Sequence, residues 1–329
     1  MKVFTPNIGE VNLTQKNFLA KGGEGTVYSK KSVAYKIYEN PDTMIPYGKI
    51  QELSVLELPQ IIKPEEIIRD KDGVIIGYTM RYVKNTHALC SLFPKKFRLR
   101  HNITNDIIVN LVKIFRKIIE YVHSKNILVV DLNELNFLVA NKFDDMYAID
   151  VNSYQTTNFP ATVVMPSILD RHCNNHFDAG TDWFSWGIVS CRMLLGIHPY
   201  KGKHKDFKKI PLGDRMNARM KANVSIFHDE VSVPAACQSF DIIPQVLKDW
   251  YIAVFEDGER EPPPDDFFAV TIKATTKIKR ISGSDSFNVE ELFEYDSEIL
   301  EVICFEGTRI VVTQDKVFMN QKEYQIPHD

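Results

Sequence analysis

Val129-Val130-Asp131-Leu132-Asn133-Glu134-Leu135-Asn136-Phe137-Leu138-Val139, a short polar turn, then Met146-Tyr147-Ala148-Ile149-Asp150: this stretch decides the reading of the chain. An aspartate is followed five residues later by an asparagine, and an apolar run later ends in a second aspartate. Phosphoryl transfer needs those groups. One carboxylate orients or deprotonates the attacking hydroxyl, while an amide oxygen and another carboxylate hold the metal ions that neutralise the phosphates. The apolar run Phe137 to Ala140, the turn Asn141 to Asp145 and the run Met146 to Ile149 predict a hairpin. It would bring Asn136 and Asp150 to one end as metal ligands. The spacing from Asp131 to Asn136 is weak alone, because Asp and Asn are common in turns for local reasons.

Upstream, Leu19-Ala20-Lys21-Gly22-Gly23-Glu24-Gly25-Thr26-Val27-Tyr28 links two strand-like runs. Its glycines let backbone N–H groups approach phosphates closely. Ser32-Val33-Ala34-Tyr35-Lys36-Ile37-Tyr38 follows as an alternating strand containing one lysine. The plain alternative is a tight hairpin with a surface lysine. It is not a phosphate loop of the Walker type, since no Gly-Lys-Ser/Thr follows and no helix opens there.

Taken with the Asp131 stretch, these motifs resemble the protein kinase superfamily, of the bacterial or phage eukaryotic-like Ser/Thr type, over about residues 12–270. The resemblance implies an α+β fold of two lobes. Residues 1–83 would form a β-rich N-lobe and 84–270 a mostly helical C-lobe, with a small β-rich segment over 271–329. It implies ATP and Mg²⁺ as cofactors. Gly22, Gly23, Gly25 and Val27 would cover the nucleotide, with Ala20 where the first glycine usually stands. Lys36 would orient the α- and β-phosphates, Asp131 the substrate hydroxyl, and Asn136 and Asp150 the metal. The partner of Lys36 is sought on a helix over 47–58, where Glu52 fits best, with Glu39 and Glu57 as the other acids in reach. Met80 would back the adenine pocket, though it also suits ordinary core. Arg81, Tyr82 and Val83 would form the hinge.

Further landmarks appear in family order. Ile61 to Ile68 and Val74 to Met80 predict two strands joined by the turn Asp70-Lys71-Asp72-Gly73. Ile108, Leu111, Val112, Phe115, Ile118, Ile119 and Val122 recur near the helical period, predicting a helix over 105–125 that leads into the Asp131 loop. His123 near its end suits packing or capping better than base catalysis. Asp182-Trp183-Phe184-Ser185-Trp186-Gly187 resembles the buried helix start whose aspartate braces the catalytic loop in protein kinases. The run from Leu194 to Tyr200 and the turn Gly258-Glu259-Arg260-Glu261-Pro262 fit the family's C-lobe.

The chain also departs from the pattern. Val129-Val130 replaces the usual His-Arg, so no arginine stands in that loop to grip a phosphorylated activation segment. Asn133 replaces a lysine. Val151-Asn152 replaces Phe-Gly after Asp150, and the asparagine is expected to take the positive φ of the turn. Met165-Pro166-Ser167 lies where the family has Ala-Pro-Glu, without its glutamate.

Composition sets limits. The chain has 329 residues, 44% hydrophobic and 25% charged, with formal net charge −3, as expected of a soluble globular protein with no global basic field for nucleic acid or membrane. The basic run Lys201 to Lys209 reads as a solvated face. Five scattered cysteines without a C-x-x-C pair fit a reduced, cytoplasmic protein with buried thiols and no zinc site. Strand-like runs at Ile278–Ile281, Glu298–Cys304, Arg309–Thr313 and Lys316–Met319, with turns at Glu306-Gly307 and Gln314-Asp315, predict a small antiparallel unit. It is either the first hairpins of a larger β-domain or an extension packed on the kinase, and a possible protein-partner surface.

The expected activity is an ATP-dependent protein kinase directed at Ser/Thr of protein substrates, with no need for activation-loop phosphorylation. A pseudokinase acting as a nucleotide-gated interaction module is the rival from another class, motivated by the lost His-Arg pair and lysine. A small-molecule kinase is the third possibility.

Overall fold

The computed structural model describes residues 1–174, 176–265, 299–305, 308–313, 316–319 and 322–325. The chain divides into two compact units, Met1–Phe268 and Ala269–Asp329. The architecture is α+β.

The first unit opens with a seven-stranded sheet of β1 (Lys2–Thr5), β2 (Gly9–Asn12), β3 (Phe18–Lys21), β4 (Gly25–Lys30), β5 (Val33–Tyr38), β6 (Ile67–Arg69) and β7 (Ile75–Arg81), in the order β2-β1-β6-β7-β5-β4-β3. All its pairings are antiparallel. Strand alternation assigns the faces of β5. Val33, Tyr35 and Ile37 join Val3, Leu13 and Ile68 in one apolar cluster, which turns Ala34 and Lys36 to the opposite face, where they line a cleft. The expected β6–β7 turn forms, with the Asp70 carboxylate accepting the Asp72 and Val74 N–H groups, each at 2.9 Å.

A short helix, α1 (Tyr47–Leu53), follows β5. It ends well before residue 58. Leu56 and Leu58 turn into the helical core, and Pro59 disfavours a helical residue before it.

The remainder of the unit is helical, apart from a three-stranded sheet of β8 (Thr86–Ala88), β9 (Phe137–Ala140) and β10 (Met146–Ala148). After α2 (Lys95–Arg100), the expected long helix is α3 (Asn105–Ser124), started by Thr104, whose hydroxyl accepts the Ile107 N–H. Its buried stripe from Ile108 to Val122 packs on α4 (Ala179–Leu195) through Phe115 and Trp186, whose ring centroids lie 5.9 Å apart. A capping box of Asp178 and Thr181 starts α4, and Gly196 at φ 73° stops it. Helices α5 (Arg215–Lys221) and α6 (Gln245–Ile252) follow.

The second unit is an antiparallel meander of β11 (Ile299–Phe305), β12 (Thr308–Thr313), β13 (Lys316–Met319) and β14 (Lys322–Gln325). The first three occupy the positions expected of them; β14 is polar and carries no apolar alternation to mark it. The strand expected over Ile278–Ile281 and the turns expected at Glu306-Gly307 and Gln314-Asp315 lie outside the described residues. Among the described residues no helix is long and apolar enough to cross a membrane.

Candidate active site

A cleft of about 1310 Å³ lies in the first unit. Gly22, Gly23, Gly25 and Val27 line it from the β3–β4 turn. Gly25 is obligatory there, because a Cβ would stand 2.1 Å from the Ile37 carbonyl oxygen of the next strand. Lys36 contributes from β5, and Met80, Arg81 and Val83 from the end of β7 onward. Asp131, Asn136 and Asp150 line it from the helical side. The β9–β10 hairpin makes that meeting possible: it pairs Phe137 with Ala148, and the Ile149 N–H donates to the Asn136 carbonyl at 2.8 Å.

Lys36 is nearly buried, and its ammonium reaches Glu24 Oε2 at 2.6 Å, Asp150 Oδ1 at 3.0 Å and Asn152 Oδ1 at 3.2 Å. Burial alone would lower its pKa. Asp150, Tyr38 and Glu24 outweigh that effect, so its pKa is raised and the lysine stays charged. The buried Tyr78 hydroxyl donates to Asn152 Oδ1 at 2.7 Å, fixing the amide beside the lysine.

Two expectations fail here. Glu52 does not reach Lys36; it accepts from the Asn158 side chain at 2.6 Å and from the Asn158 backbone, and it lies outside the cleft wall. Glu39 pairs instead with Lys21 at 2.5 Å, and the Glu57 N–H is held by the Tyr121 hydroxyl at 2.9 Å. The residue that α1 turns into the cleft is Lys49. The positive φ after β10 falls on Asp150, at 59°, and not on Asn152. Asn152 lies in a 3-10 turn, where its amide is taken up by Lys36 and Tyr78.

The Asp131 loop is held from several sides. Asp131 Oδ2 accepts from the side-chain amides of Asn133 (2.9 Å) and Asn136 (3.3 Å), and Oδ1 accepts the Met165 N–H at 2.7 Å. Asn133 is 1% exposed, and its own oxygen accepts the Leu135 N–H at 2.8 Å. It is therefore a brace of the loop. Beneath it Asp182, fully buried, accepts the Val129 and Val130 N–H groups at 2.7 and 2.8 Å and lies 2.9 Å from His123 Nε2. His123 is thus a packing and bracing residue.

The acid missing from Met165-Pro166-Ser167 is supplied a little later. Asp170 accepts from Arg260 Nε at 2.6 Å and Nη2 at 3.0 Å, tying the end of the segment to the Gly258 turn. Glu24, Lys49, Asn152 and Asp170 were all missed by sequence reasoning. Glu24 stood inside the quoted glycine run, but a charged residue in a polar turn carries no signal of its destination.

Asn136 turns its amide nitrogen to Asp131, leaving its oxygen for a cation, and Asp150 keeps a carboxylate oxygen beyond the one facing Lys36. An amide oxygen and a carboxylate are the hard donors that suit Mg²⁺. A family model described as protein kinase domain matches residues 13–248. The comparison with curated proteins found no match.

Proposed function

The chain belongs to the protein kinase family, and we propose that it transfers the γ-phosphate of ATP to Ser or Thr hydroxyls of protein substrates. The observation that carries this reading is the contact of Lys36 with Asp150 at 3.0 Å, in the cleft that also holds Asp131 and Asn136 under the glycine turn. Lys36 offers its charge to phosphate oxygens, and the N–H groups of the glycine turn approach them from above. Asp131, oriented by Asn133 and Asn136, aligns the acceptor hydroxyl and takes its proton at a carboxylate oxygen. Mg²⁺ held by Asn136 and Asp150 would supply charge neutralisation at the phosphates.

The second reading is a nucleotide-gated interaction module without turnover. It is favoured by Glu24, whose carboxylate stands against Lys36 where phosphate is expected.

The test is incubation with γ-labelled ATP and Mg²⁺, with and without generic protein acceptors, alongside Asp131→Asn. Label on protein, lost in the variant, supports the first reading. Label on a small molecule instead assigns a metabolite kinase. Nucleotide binding without transfer assigns the interaction module.

A further inference from the structure

Lys49 stands midway along α1 and is 6% exposed, yet it lines the same cleft as Lys36 and Asp150. Its place in the helix accounts for the burial: Leu53, four residues on and fully buried, lies on the same face and draws that face inward. Among the described residues the Lys49 ammonium makes no hydrogen bond or ion pair. A desolvated cation without an anion is a costly arrangement in a folded protein. Its surroundings register that cost. Burial lowers its pKa, and the opposing influences come from Glu24 and then Glu52.

Both acids are engaged elsewhere, Glu24 with Lys36 at 2.6 Å and Glu52 with Asn158 at 2.6 Å. Glu24 is nonetheless informative. Its carboxylate touches Lys36 and is the acid whose charge Lys49 feels most, so it marks a point in the cleft lying in the field of both lysines. It is also weakly held there, with its side chain 53% exposed. A polyphosphate carries several times the charge of a carboxylate and would displace it. The catalytic loop offers no competing cation, because Asn133 is committed to Asp131 and Leu135.

We propose that Lys49 is a second phosphate-binding cation of the cleft, joining Lys36 around the anionic tail of a nucleoside di- or triphosphate. The inference rests on the cleft being a nucleotide site, as proposed above. In this chain α1 then delivers positive charge to the phosphates, and the acid facing Lys36 comes from the glycine turn.

The experiment is calorimetric titration of the full chain with adenosine, ADP and ATP. It compares wild type with Lys49→Met, which keeps the apolar stem, and with Lys49→Gln. Wild type is expected to bind ADP more tightly than adenosine. Both variants should keep adenosine affinity and lose about tenfold in ADP and ATP affinity, the scale of one charge-assisted contact. The same loss should persist in a Glu24→Gln background. Unchanged ADP affinity in the variants overturns the inference and leaves the nucleotide site standing. A loss that vanishes with Glu24→Gln also overturns it, since Lys49 would then act only on that carboxylate. A wild type that gains nothing from phosphates fails the nucleotide reading itself.

Discussion

The Asp182 carboxylate accepts the backbone N–H of Val130 at 2.8 Å, and Val130 holds φ at 59° while only 3% exposed. A β-branched residue in the left-handed region is a genuine outlier. Such strain costs about 1–3 kcal/mol and persists only where the surroundings over-determine it. Here it stands immediately before Asp131. The backbone is turned so that successive N–H groups of Val129 and Val130 face one buried acid, and the next side chain enters the cleft.

Asp182→Ala should therefore be mainly a structural lesion. It strands the Val129 and Val130 N–H groups, at about 1–3 kcal/mol for each unsatisfied donor. The expected readout is a markedly lower melting temperature, with activity reduced in the fraction that remains folded. An unchanged melting temperature would place Asp182 at the surface and refute the brace.

Glu24→Gln should tighten nucleotide binding, because Glu24 occupies the ammonium that phosphate needs. The side chain is 53% exposed, so the contact is screened and contributes only about 0.2–1 kcal/mol. That corresponds to no more than about fivefold in the ADP dissociation constant. Weaker ADP binding in the variant would mean that Glu24 holds Lys36 in place and does not compete with phosphate.

For Asp150→Asn, the Mg²⁺-dependent part of ATP affinity should fall by about tenfold or more, with transfer abolished, since a hard cation prefers anionic oxygen. Binding of ADP without metal should survive. Mg²⁺-dependent turnover equal to wild type would remove Asp150 from the metal site.

His198 ties the end of the activation segment down. Its Nε2 donates to the Ser167 carbonyl at 2.8 Å, and its Nδ1 accepts the Tyr200 N–H at 3.1 Å. Burial pulls its pKa down to about 3. Above pH 6.5 both folded and unfolded chains carry the neutral ring, and stability from this group is complete. Below that, the unfolded chain takes up a proton and the folded one does not, so stability falls progressively toward pH 3. At pH 5 the loss is about 2 kcal/mol. Denaturant unfolding at pH 8 and pH 5 should show a smaller difference for His198→Gln than for wild type, by about that amount. Parallel losses would mean that the ring titrates normally.

What was legible in the sequence is what local chemistry determines. The helical period of α3, the turn chemistry of Asp70 to Gly73 and the apolar runs of β9 and β10 each fix an element without outside help, and together they bring Asn136 and Asp150 to one end. What was not legible depends on docking. Whether α1 turns Lys49 or Glu52 into the cleft is decided by how Ile50 and Leu53 seat it, and nothing within the seven residues of α1 states that. The same holds for the turn after β10. An asparagine is a good left-handed residue, but the Asn152 amide is needed by Lys36 and Tyr78, and Asp150 takes the positive φ in its place. Asp170 could not be identified as the anchor of Arg260, 90 residues away in sequence, until the fold brought them together.

The activation segment should be competent without phosphate. Contacts of its own hold it: Gln155 exchanges backbone hydrogen bonds with Leu128 (2.9 and 3.0 Å), Asn158 binds Glu52, Met165 caps Asp131, and Asp170 pairs with Arg260. Of the hydroxyls in the segment, Tyr154 and Thr156 are buried and Ser153 and Ser167 half-buried, which leaves Thr157 and Thr162 as its exposed acceptors. Phosphate on either would meet no catalytic-loop arginine, since Val130 stands there, so it should gain little charge-assisted energy. Phosphatase-treated protein should therefore match protein preincubated with ATP, and Thr157→Ala with Thr162→Ala should leave the rate unchanged. A rise of tenfold on preincubation, about 1.4 kcal/mol in the barrier, lost in the double variant, would overturn this. Asp170→Asn supplies the converse. It leaves the half-buried Arg260 without its acid, so stability should fall, by less than for a fully buried pair. If direct contacts order the segment, that variant should lose activity together with stability, and no phosphorylation of Thr157 or Thr162 should restore it.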